Sequence, residues 1–155
     1  MRRLITYLVR FAVILIGYIV ASLAASAFLD VLFLAHLGYT PQHPEPAATA
    51  SLYFSVPFVA LFVAYFAFIP AAAVILIAEV LGRRDWLFYA LGGAVIALVF
   101  LGFVYHIAAA NFEVTETRAG LAVIGSGMVG GIFYWLSAGR SAGRWRREPL
   151  LSPES

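Results

Sequence analysis

Four polar side chains recur at intervals of four residues along an apolar stretch near the start of the chain. They are Tyr18, Ser22, Ser26 and Asp30. Residues four apart share one face of a helix, so the spacing predicts a polar stripe on an otherwise apolar helix. The stripe ends in Asp30, where a carboxylate could bind a cation, exchange a proton or recognise a basic group on a partner. Asp30 could instead hold helices together by accepting hydrogen bonds from hydroxyls or from His106, and we favour this structural role.

Two histidines, His36 and His106, fall near the ends of apolar stretches at a depth similar to that of Asp30. Together with the carboxylate they could form a metal or proton site, and as a pair on facing helices they could ligate a b-type haem. Haem binding would also need both rings at one depth, with space for a macrocycle between them. A histidine at the end of an apolar helix is more often solvated, so we expect neither haem nor metal.

Motifs for other chemistry are missing from the sequence. It contains no cysteine, and therefore no thiolate nucleophile or thiolate metal site. It also lacks a phosphate-binding P-loop, an H-E-x-x-H motif and a G-x-S-x-G motif. Glu79 resembles a second intramembrane acid, but we expect it close to the inner interface. It precedes Arg83 by four residues, and this spacing predicts a local ion pair with a structural role. We therefore expect a non-enzymatic protein.

The composition predicts the helices that carry these residues. Hydrophobic residues make up 63% of the chain and charged residues 12%, against about 45–50% and about 25% in soluble domains. A bilayer core needs about 20 apolar residues in a helix. Four stretches meet that length, at residues 11–37, 52–81, 86–110 and 119–138. The sequence therefore predicts an all-α, integral-membrane four-helix bundle over residues 1–139.

The arginines predict how the bundle is oriented. All ten basic residues are arginine, and with four spans nine of them fall on one side, with only Arg118 on the other. Basic residues in short loops stay cytoplasmic, so we expect both termini in the cytoplasm and the proline-rich 38–51 loop outside. The composition of residues 140–155 predicts a disordered cytoplasmic tail. Its arginines are positioned to contact anionic lipid head groups: Arg140, Arg144, Arg146 and Arg147.

Small residues recur at four-residue intervals on three of the predicted helices. Such positions let membrane helices approach closely, and they are Gly17, Ala21 and Ala25, then Gly93 and Ala97, then Gly127 and Gly131. We expect packing within the bundle rather than self-association to use most of them. Pro70 lies inside the second span, where it removes one backbone hydrogen bond. It could act as a hinge or a binding notch, but a static kink is the simpler interpretation.

The end of the fourth span reads Gly130-Gly131-Ile132-Phe133-Tyr134-Trp135-Leu136, and residues 70–88 place Ala78-Glu79 before an arginine turn. Together these segments resemble a group of uncharacterised, small four-span inner-membrane proteins of alphaproteobacteria. The resemblance implies the same topology and a bacterial origin, and it brings no activity with it.

From the sequence we expect a helical protein of the bacterial inner membrane, acting as an accessory or interaction subunit of a membrane complex or of a homo-oligomer. Its partners would be the lipid bilayer and another membrane protein or a second copy. Nucleic acid is not expected, because the net charge is only +2. The alternative function is a small oligomeric carrier or channel for a cation, a proton or a small molecule, with Asp30 in its path.

Overall fold

The computed structural model describes residues 2–36, 46–107 and 117–142. Within these ranges the chain forms four helices: α1 (Arg2–His36), α2 (Pro46–Leu81), α3 (Trp86–Ile107) and α4 (Thr117–Ser137). A 3-10 turn, Gly139–Ser141, follows α4. All four helices are long and apolar enough to cross a membrane. The predicted all-α four-helix bundle of membrane-spanning type is confirmed.

Two helices begin earlier than the apolar stretches suggested. α1 starts at Arg2 rather than near Phe11, because arginine is a good helix former and a polar turn can continue an apolar helix. α2 starts at Pro46 rather than near residue 52. Proline suits the first turn of a helix, since its missing N–H would have no partner there. The remainder of the predicted loop, residues 38–45, lies outside the described residues.

The turn between α2 and α3 shows why glycine is needed at its position. Gly82 has a φ of 62°, a left-handed conformation that residues with a side chain adopt only at a cost. The Gly82 amide donates to the Glu79 carbonyl at 3.3 Å, and the Arg83 amide donates to the Ala78 carbonyl at 3.0 Å. These two bonds form a Schellman motif that satisfies the last carbonyls of α2.

α4 lies at the centre of the packing, with its most extensive contacts against α3 and α1. The backbones meet at glycines: a methyl group added at Gly93 would collide with the Gly127 carbonyl, and one added at Gly131 would collide with the Tyr89 carbonyl. On the other face of α4, Gly130 lies against the Ala21 carbonyl. The small-residue positions singled out in the sequence thus lie at contacts between helices of one chain. α2 packs less extensively against α1, and less again against α3.

The two ends of the bundle differ in their polar contacts. At one end, the start of α1 meets the end of α2 and the segment after α4, where Arg10 contacts both Glu79 and Ser141. We call this the arginine end, because Arg83 and Arg84 also lie there. At the other end, Asp30 of α1 faces Ser55 of α2, and we call it the aspartate end. The arrangement places the starts of α1 and α3 beside the ends of α2 and α4.

Candidate functional site

The polar stripe of α1 lies along its seam with α2. The Tyr18 hydroxyl donates to the Ala64 carbonyl at 2.6 Å, and the Ser26 hydroxyl donates to the Val56 carbonyl at 2.6 Å. Ser22 instead donates to the Tyr18 carbonyl of its own helix at 2.9 Å. Hydroxyl groups that donate across a helix interface are a recurrent way of joining membrane helices. The stripe therefore fastens α1 to α2.

Asp30, at the end of the stripe, is only 9% exposed. Its Oδ2 accepts a hydrogen bond from the Ser55 hydroxyl at 3.2 Å. Of the donors considered from the sequence, neither Ser26 nor His106 makes this bond, because Ser26 is committed to Val56 and His106 is exposed. A buried carboxylate held by a neighbouring helix matches the structural role. Ser55 was missed because seryl residues in an apolar span give no signal of which helix they face.

The two histidines lie on the outside of the bundle. His36 ends α1 and His106 lies in the last turn of α3, and both side chains are exposed. Within the described ranges, no three His, Asp or Glu side chains come close enough together to hold a metal ion. His43 falls outside those ranges. Neither the His36 ring nor the His106 ring therefore faces the bundle interior.

The centre of the bundle contains a cavity of about 510 Å³, lined by residues of all four helices. We call it the central cavity. Its wall is predominantly apolar, and of the polar stripe only Tyr18 and Ser22 reach it. Asp30 and Ser26 do not line it. Pro70 does, so the proline of α2 shapes the wall. An apolar wall of this kind offers an ion no replacement for its hydration shell.

A polar cluster lies at the arginine end, and the sequence did not predict it. Arg10 of α1 forms a salt bridge with Glu79 of α2, with 17% and 12% of the side chains exposed. Arg10 also donates to the Ser141 hydroxyl at 2.5 Å. The predicted partner of Glu79 was Arg83, and that prediction is wrong: Arg83 pairs with Asp85 at 3.6 Å. The overlooked signal was a basic and an acidic residue at equal depth on one side of the membrane.

Two tyrosines pack under this salt bridge. The rings of Tyr89 and Tyr134 lie 5.4 Å apart, and both residues are at most 5% exposed. The Tyr89 hydroxyl donates to the Arg83 carbonyl at 3.3 Å. The Tyr134 hydroxyl is buried without a hydrogen-bond partner. Each of the four helices thus contributes one side chain to the cluster: Arg10, Glu79, Tyr89 and Tyr134.

The segment after α4 closes the arginine end. Ala138 and Ala142 are almost fully buried, and Arg84 donates to the Ala142 carbonyl at 2.9 Å. The predicted disordered tail began at residue 140, whereas the described chain stays packed as far as residue 142. Arg140 is exposed and lies 4.6 Å from the centre of the Trp135 ring, a cation–π geometry. Arg144, Arg146 and Arg147 lie outside the described residues.

Comparison with known proteins adds no relative: no protein-family model, curated protein or solved structure matches this chain. The protein is built from four helices that are long and apolar enough to span a membrane. A salt bridge joins two of them at one end of the bundle, and a cavity lies at its centre.

Proposed function

We propose that this chain is a non-enzymatic subunit of a bacterial inner-membrane assembly, either a complex with another membrane protein or a homo-oligomer. The observation that carries the proposal is an exposed face of α2. This α2 face consists of large side chains at alternating intervals of four and three residues, between 57% and 81% exposed: Phe54, Phe58, Leu61, Tyr65 and Phe68.

The spacing of the α2 face suits a helical partner. Large residues repeating every 3.5 positions form the seam along which two helices pack with a left-handed crossing. Most membrane helix bundles use this crossing. The glycines and alanines that could otherwise dimerise are already used inside the bundle, for example Gly93 against Gly127. The α2 face is thus the regular surface left over for a partner.

The arginine end supports the orientation in this proposal. Arg10, Arg83, Arg84 and Arg140 all lie at this end of the bundle. Basic residues close to the ends of spans are retained in the cytoplasm. We therefore place the arginine end, and with it both termini, on the cytoplasmic side.

The alternative function is the oligomeric carrier with Asp30 in its path. In its favour, an acid that is 9% exposed inside a span marks functional sites in many membrane proteins. Against it, Asp30 is bonded to Ser55 and does not line the central cavity. A path for an ion would have to be completed by a second copy of the chain.

The test is association in mild detergent, with two differently tagged copies expressed together in native membranes. We expect the wild type to capture either the second tag or a distinct membrane protein. Combined alanine substitutions at Phe58, Leu61 and Tyr65 should abolish that capture. A matched triple substitution on α3, at Leu91, Val95 and Leu98, should preserve it, because these residues are also exposed, by 52–54%, and lie on another helix.

Two results would contradict the proposal. One is a wild-type chain that runs as a monomer without any partner. The other is equal loss of capture in the α2 and α3 variants. That result would show that association depends on large lipid-facing side chains in general and not on the α2 face.

A further inference from the structure

We propose that the central cavity is a binding site for one acyl chain of a membrane phospholipid. The cavity measures about 510 Å³, within the range of about 300–1,000 Å³ that small-molecule sites occupy. The site does not depend on the assembly proposed above, since none of the five residues of the α2 face lines it.

The wall of the cavity selects an apolar ligand. It is formed by side chains such as Val63 and Phe66 of α2, Ile96 and Phe100 of α3, and Val123 of α4. Most hydroxyls on it are already engaged: Tyr18 donates to Ala64 and Ser126 donates to Val123. Tyr134 also lines the cavity, with its unpartnered hydroxyl buried within the protein. Water gains too few hydrogen bonds in such a space to fill it.

The exposed wall residues place the opening of the cavity along the seam between α2 and α3, beside the contact of the Phe66 and Phe100 rings. This seam is the loosest contact between neighbouring helices of the bundle, and several wall residues there are strongly exposed, including Ile69 at 80%, Val99 at 57% and Phe62 at 56%. These positions are near the middle of their spans, at the depth of the hydrocarbon layer. The molecules that meet an opening at this depth are lipid acyl chains.

The shape of the cavity fits a linear chain. Its wall on α2 runs from Val59 to Ile75, which is about 24 Å along a helix axis. One leaflet of a bilayer core measures about 15 Å, half of the total thickness. An extended acyl chain can therefore lie lengthwise in the cavity, parallel to the helices.

Small residues and a proline border the cavity. Gly93, Ala97, Gly127 and Gly130 line its wall on α3 and α4, where the backbones pack closely and no large side chain projects into the cavity. On the opposite wall, Pro70 has no N–H to donate to the Phe66 carbonyl, so α2 loses one helical hydrogen bond there. Facing walls built in this way leave a gap that the protein's own side chains do not fill.

The experiment uses liposomes of phosphatidylethanolamine and phosphatidylglycerol that contain a phospholipid with a photoactivatable group midway along one acyl chain. We expect cross-links concentrated at wall residues of α2 and α3 in the wild type. Ala67→Phe places a ring in the cavity, since Ala67 lines it. Cross-linking should fall about tenfold, the change that a loss of about 1.4 kcal/mol in binding produces.

The matched control is Ala73→Phe, the same substitution on the same helix at an exposed position away from the cavity. Its cross-linking should equal that of the wild type. Helicity and thermal unfolding show whether Ala67→Phe folds. If it does not, Ile96→Phe is used instead, because Ile96 lines the cavity from α3. Cross-links spread evenly over the lipid-facing surface, or unchanged in a folded cavity-filling variant, would overturn the proposal. So would a wall free of lipid cross-links because a second protein chain occupies the cavity.

Discussion

α4 and α2 pack in contrasting ways within the bundle. α2 is the most hydropathic of the four spans and α4 the least, yet a larger share of the α4 span is buried. α4 brings glycines into contact with the backbones of α3 and α1, whereas α2 turns large aromatic side chains outward. Lipid is as apolar as leucine, so hydrophobicity does not draw these helices together. Side-chain size decides which helix lies inside.

The same contrast appears along the membrane normal. At the arginine end, the Arg10–Glu79 salt bridge joins α1 to α2, the Trp135 side chain donates to the Arg84 carbonyl at 2.6 Å, and the Arg84 side chain donates to the Ala142 carbonyl. At mid-membrane, α2 contacts α3 less extensively than it contacts α1, and the cavity lies beside that contact. We infer that the arginine end holds α2 in place where its packing is weak.

The salt bridge offers the largest expected effect. Glu79→Leu leaves Arg10 with its charge unpaired at the arginine end, and we expect the free energy of unfolding to fall by about 3 kcal/mol, the lower bound for breaking a buried pair. The double variant Arg10→Met/Glu79→Leu should recover most of that loss, because it removes both charges. Unfolding in detergent measures each variant.

The control for the salt bridge is the second ion pair, Arg83 with Asp85, whose side chains are 58% and 69% exposed. Replacing Asp85 by alanine should change stability by less than about 1 kcal/mol. If the Glu79 and Asp85 variants lose equal stability, the Arg10–Glu79 pair does not hold α2.

A smaller effect should separate two glycines of α4. Gly131→Ala drives a methyl group into the Tyr89 carbonyl, and overpacking of this kind costs about 1–3 kcal/mol. At Gly120 no atom lies within 4 Å of an added methyl group, so Gly120→Ala should gain up to about 1 kcal/mol from helix propensity. The comparison of melting temperatures tests whether backbone contact, rather than helix propensity, governs α4. Equal shifts in the two variants would contradict that explanation.

The smallest effect is expected at the aspartate end. Asp30→Asn keeps the ability to accept a bond from Ser55 and should be nearly neutral. Asp30→Leu should lose about 0.6–2 kcal/mol, the range for polar contacts between membrane helices. Ser55→Ala removes the other partner and should lose a similar amount. Melting temperatures measure all three.

Proton and cation flux into liposomes separates the structural role of Asp30 from the carrier function. Wild-type flux that disappears in Asp30→Asn, without a loss of stability, would favour the carrier. An Asp30→Asn variant that unfolds would show that the charge itself is required, contrary to the structural role.

The sequence alone determined the membrane-spanning architecture. A span is a local property of about 20 residues, so composition and spacing were enough to predict four helices and the small residues available for close packing. The helix ends were predicted less accurately, because polar residues beside a span can continue the helix: α2 begins at Pro46 rather than near residue 52.

Only the tertiary structure decided which side chains meet. Glu79 had a plausible partner four residues away, yet it pairs with Arg10, 69 residues distant in the chain. Asp30 meets Ser55, and the central cavity draws its wall from all four helices. These outcomes depend on the rotation of each helix about its axis. That rotation is set jointly by the glycine contacts of α4, the hydroxyl bonds of α1 and the bulk of α2, and no single segment encodes it.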